Sequence, residues 1–113
     1  MMAMALIFAA VAAQAPAPNQ RVSQAEIERF VWQVKSCWNI LPDDINSGLS
    51  VTLLIDLNRD GSVTGNEIGE AVESAAGLRI ARAAVRAVEQ CAPYTFSAET
   101  YHEWKHLELE LRP

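Results

Sequence analysis

The segment that most limits how this chain can fold is VTLLIDLNRDGSV, residues 51–63. Val51, Leu53, Ile55 and Leu57 alternate with Thr52 and Asp56, the period-two pattern of a strand with one buried face. Asn58-Arg59-Asp60-Gly61 then stops it. Short polar side chains and a terminal glycine suit a type I turn whose glycine takes positive φ as a bulge. A return strand from near Ser62 is the natural continuation, so the middle of the chain reads as a hairpin. Its far end is ambiguous: Ile68, Ala71, Val72 and Ala75 have helical spacing, yet Gly65 and Gly69 weaken a helix there.

Helices are expected on both sides of the hairpin. Ser23-Gln-Ala-Glu26 is a capping box, and behind it Ile27, Phe30, Val31, Val34 and Trp38 recur on one helical face. Trp32 points almost opposite that stripe and is expected to be partly exposed. Asn39 to Gly48 breaks the pattern with Pro, Asp, Asn and Gly. Leu78, Ala81, Ala84, Val85 and Val88 build a second amphipathic helix, with Arg79, Arg82, Arg86 and Glu89 outside, ended by Pro93. Residues 97–104 suggest a short helical turn. Leu107, Leu109 and Leu111 alternate with Glu108 and Glu110 as a last strand.

At 113 residues the chain has room for one domain. The first twenty residues carry no charge, whereas all nine Lys+Arg and fourteen Asp+Glu follow them. Within them Met4 to Ala13 is a compact apolar run, too short for the roughly 20 residues of a membrane helix, and Val11-Ala12-Ala13 offers a small-residue cleavage site. Residues 1–13 therefore read as a secretory signal, although no Lys or Arg precedes the apolar run; a lightly anchored N-terminus is the alternative. Residues 14–21 form a Pro/Ala linker, and 22–113 the domain, with no membrane-spanning segment expected in the mature chain. A formal net charge of −5 argues against nucleic acid or an anionic membrane as partner. Two cysteines in an exported chain usually mean one disulfide, with two free thiols as the alternative.

Two motifs invite a metal. His102-Glu103-Trp104-Lys105-His106 matches the H-E-x-x-H pattern of zinc proteases, which works only when one helix carries both histidines on one face and a third ligand lies further along. Only LELELRP follows His106, and its alternation says strand, so two surface histidines are expected. Asp56, Asn58, Asp60, Ser62, Thr64 and Glu67 occupy the ligand positions of a twelve-residue calcium loop. Such a loop is entered from a helix and normally works in pairs, whereas the residues before Asp56 alternate and there is one loop. A hairpin turn uses the same residue types. The expectation is no metal and no cofactor, with a secreted single-loop calcium-binding protein as the minor alternative. No nucleophile–base pair or phosphate-cradling glycine loop stands out, so the chain does not read as an enzyme.

Taken in order, Cys37-Trp38-Asn39, Asn58-Arg59-Asp60-Gly61, the Arg- and Ala-rich second helix, Cys91-Ala92-Pro93-Tyr94, Glu99, Tyr101, Trp104 and Lys105 resemble the C-terminal domain of TolA-like cell-envelope proteins of the alphaproteobacterial type. The resemblance spans residues 22–113. It implies an α+β domain with two helices on one face of a small three-stranded antiparallel sheet, in the order α-β-β-α-short helical turn-β, and a Cys37–Cys91 disulfide. It also implies a periplasmic, non-catalytic role in the Tol–Pal system that supports outer-membrane integrity, binding partners such as TolB by strand addition. The corresponding edge here is the last strand: Lys105, Leu107, Glu108, Leu109, Glu110 and Leu111, with exposed Trp32 as a second contact. A TonB-like receptor-docking domain would share the fold. The membrane helix and long spacer of TolA proper have no counterpart in these residues, which makes a free-standing relative or a truncated gene model the expectation.

Overall fold

The structure, a computed structural model, describes residues 21–70 and 72–113; the expected signal and nearly all of the linker lie outside the described residues. Helix α1, Gln24–Cys37, starts as its sequence dictates. The Ser23 hydroxyl accepts from the Glu26 amide at 3.1 Å, and the Glu26 carboxylate accepts from the Ser23 amide at 3.3 Å. Phe30 and Val34 are buried, and so is Trp38, whose indole N–H donates to the Ile80 carbonyl at 3.2 Å. Ile27 belongs to the same stripe yet remains 42% exposed.

The break at 39–48 contains a short helix that the pattern does not announce, α2, Pro42–Ile45. Pro42 supplies a preset φ at the first position and Asp43 and Asp44 favour the helix start. Asp44 is buried, which a carboxylate tolerates only with a partner. The partner is Arg79, expected to face outward: its guanidinium grips both carboxylate oxygens at 2.8 and 2.9 Å. That forked hydrogen bond, helped by the cation's charge against a smaller opposing burial, holds the Asp44 pKa below its usual value.

The hairpin forms from β1, Val51–Leu57, and β2, Val63–Ile68, which pair antiparallel with a bulge between Asp56 and Leu57. Gly61 takes φ +84°, its amide donates to the Asn58 carbonyl, and the Asn58 amide donates to the Ser62 carbonyl, both at 2.9 Å. The helical spacing that begins at Ile68 goes unused, because the strand runs on through Ile68 and the Gly69 amide still donates to the Thr52 carbonyl. Helix α3, Ala75–Cys91, begins instead at Ser74, whose hydroxyl accepts from the Gly77 amide at 2.9 Å. Its buried side chains are mostly small (Ala81, Ala83, Ala84 and Ala87 with Ile80 and Val88), so α3 packs closely on both α1 and the β1–β2 hairpin.

A 3₁₀ turn, Ala98–Thr100, leads into the short α4, Tyr101–Trp104, and then into β3, His106–Leu111. The sheet order is β2-β1-β3, antiparallel throughout. Val51, Leu53, Ile55, Leu57, Leu109 and Leu111 face the helices and are buried, joined by Trp104. The fold is thus α+β, with α1 and α3 over one face of a three-stranded antiparallel sheet. Cys37 at the end of α1 is bonded to Cys91 at the end of α3, their Cα atoms 6.0 Å apart.

Candidate functional site

Among the described residues strand β3 pairs on one side only, with β1, from Val51 opposite Leu111 to Asp56 opposite His106. The Leu57 amide donates to the Lys105 carbonyl at 2.9 Å, which makes Leu57 and Lys105 a hydrogen-bonded pair. In an antiparallel ladder such pairs alternate. Leu107, Leu109 and Leu111 therefore turn their backbone groups toward β1, while the N–H and C=O of His106, Glu108 and Glu110 point out of the sheet. These groups form a free edge able to pair with another strand.

The two sides of that edge differ in chemistry. Toward the helices, a mostly apolar groove of about 330 Å³ runs between α1 and β3, lined by Ile27, Val31, Phe96, Leu107 and Leu109, with the charged Arg21, Glu103 and Glu108 also lining it. Among the described residues the sheet ends at β3 and no strand lies beyond it under this part of α1, which leaves Ile27 uncovered. On the opposite face no helix among the described residues covers the sheet. Leu54, 38% exposed, pairs with Glu67 on one side and Glu108 on the other, and His106 Nδ1 lies 2.6 Å from Asp56 Oδ1.

The expected edge residues fall here with one correction. Lys105 is not in the strand: it has helical φ and ψ, caps α4, and its amide donates to the Tyr101 carbonyl. Trp32 is 73% exposed on α1 and does not line the groove. The H-E-x-x-H stretch spans the end of α4 and the start of β3, so one helix does not carry both histidines. Glu103 accepts from the Val22 amide at 2.8 Å and His106 engages Asp56. The calcium-loop residues are likewise divided: Asp56 lies within β1, one residue before its end, and Asp60 accepts from both the hydroxyl and the amide of Ser62, at 2.6 and 2.9 Å, which lowers its pKa. Thr64 and Glu67 lie on β2. No cluster of three or more His, Cys, Asp or Glu side chains among the described residues is arranged to hold a metal ion. Nor is any helix among them long and apolar enough to cross a membrane. Helical period places Ile27 on the apolar face of α1 but does not mark it as part of this edge, since period alone cannot tell where a sheet ends.

Together these features define a small disulfide-closed α+β domain with one uncovered sheet face and a free strand edge beside an apolar groove. The chain belongs to the family described as Uncharacterised conserved protein UCP034077, whose model matches residues 20–102. No curated protein matches it. Among solved structures it is similar to the solution NMR structure of TolAIII bound to a peptide derived from the N-terminus of TolB. The TM-score is 0.67 at 21% identity, covering 89% of this chain and 82% of that one. The similarity is one of fold.

Proposed function

We propose that this chain is a non-catalytic, periplasmic protein-interaction domain of the Tol–Pal type, which takes up an extended segment of a partner such as TolB along the free edge of β3. The observation that carries this reading is the edge itself: backbone groups of three alternate residues with no strand beyond them among the described residues, flanked by a mostly apolar groove. Strand addition gives affinity through main-chain hydrogen bonds and specificity through the alternate side chains. The fold similarity to TolAIII, solved with a TolB-derived peptide, supports the choice of partner. The disulfide suits an oxidising compartment.

The test is titration of the isotope-labelled full chain with the N-terminal segment of the cognate TolB, with a TonB-box peptide as the rival ligand. On this reading the TolB segment slows hydrogen exchange at the amides of His106, Glu108 and Glu110. Binding of the TonB-box peptide alone, or a TolB response confined to residues distant from β3, would sink it. Crosslinking in periplasm then checks partner and compartment together.

A further inference from the structure

The surroundings of β3 restrict which extended segment can dock there. Residues of an added antiparallel strand directly opposite His106, Glu108 and Glu110 share the face of those three side chains. That face is acidic, and no described element covers it. Glu108 and Glu67 flank Leu54, and neither forms an ion pair among the described residues. Among the described residues Glu110 has only exposed Arg112 as a partner, at 3.9 Å. Residues opposite Leu107 and Leu109 turn the other way, into the groove beside Ile27 and Val31. The two faces therefore ask for different side chains at alternate positions.

Resting on the reading of β3 as a docking edge, we propose that the segment it accepts alternates apolar residues with lysine or arginine. The apolar side chains fill the groove, and the cations stand on the open face opposite Glu108 and Glu110. An acidic segment would set like charges directly across from both glutamates, which opposes pairing. A second copy of β3 is disfavoured for the same reason, because antiparallel pairing about its centre sets Glu108 against Glu108. A wholly apolar segment would leave half its side chains on an acidic, solvated face.

Three synthetic decapeptides test this against the full chain by calorimetry and amide hydrogen exchange: alternating Lys and Val, alternating Glu and Val, and the Lys/Val composition in two blocks. The alternating Lys peptide is expected to protect the His106, Glu108 and Glu110 amides. It should bind about tenfold or more tighter than the Glu peptide, the scale of two favourable against two unfavourable cross-strand pairs. In the Glu108→Lys/Glu110→Lys variant, both positions being exposed, the ranking of the two alternating peptides should invert. Equal affinity of the block peptide, or an unchanged ranking in the variant, overturns the charge rule. If edge protection by TolB persists in that case, the docking edge stands; if no peptide, TolB included, protects the edge, both fall.

Discussion

Replacing Gly61 and Gly48 separately with alanine isolates what the hairpin turn contributes beyond its own backbone conformation. Both glycines have positive φ, +84° and +75°. An L-residue held there costs about 1–2 kcal/mol, and this cost is common to the two sites. They differ in what the new methyl meets. At Gly48 nothing lies within 4 Å. At Gly61 the methyl overlaps the backbone carbonyl of Tyr94, whose amide donates to the Gly61 carbonyl at 3.0 Å. The contact is backbone on backbone, so no side chain can rotate out of the way. Gly61→Ala must move the turn off the segment that follows α3 and give up that hydrogen bond, a further loss of about 1–3 kcal/mol. Gly48→Ala should therefore lose about 1–2 kcal/mol and Gly61→Ala about 2–5 kcal/mol in urea unfolding followed by tryptophan fluorescence, at roughly 4–8 °C in Tm per kcal/mol for a domain of this size. Equal losses in the two variants, or a milder effect at Gly61, would refute the argument that the turn is wedged against Tyr94.

The Cys37–Cys91 bond closes a separation of 54 residues, so the Cys37→Ala/Cys91→Ala variant should lose about 4 kcal/mol in the chain-entropy model. A urea midpoint unchanged from the oxidised protein would show that loop closure stabilises nothing here. Burial of Glu26 opposes its ionisation, but hydrogen bonds from Ser97 and Ser23 outweigh it and hold its pKa below the ordinary value. A carboxylate depressed on folding contributes stability that is fully present above its unfolded pKa, about 4.3, and is lost as pH falls through the folded value. The Tm gap between the native chain and Glu26→Gln should be open at about pH 7 and close in acid below that window; a gap independent of pH would contradict this.

What could be read from the sequence depended on the distance over which each feature is decided. β1, its glycine turn and the Ser23 cap are settled within a dozen residues, and each appears where the pattern places it. The H-E-x-x-H match fails for an equally local reason: the alternation after His106 claims that residue for β3. The local pattern shows α2 only as a break, because the partner that lets Asp44 be buried there, Arg79, lies thirty-five residues away. Ile27 is the most instructive case. Its spacing with Phe30 and Val34 puts it on the apolar face of α1, and that local reading is right. Whether that face is covered depends on how many strands lie beneath it, which no segment encodes by itself. With β3 last in the order β2-β1-β3, the helix extends past the sheet and Ile27 stays uncovered. Among the described residues, the missing neighbour that leaves Ile27 exposed also leaves His106, Glu108 and Glu110 without backbone partners. An apolar side chain and three alternate backbone positions are thus unpaired at the same edge for the same reason, and one added strand would satisfy both.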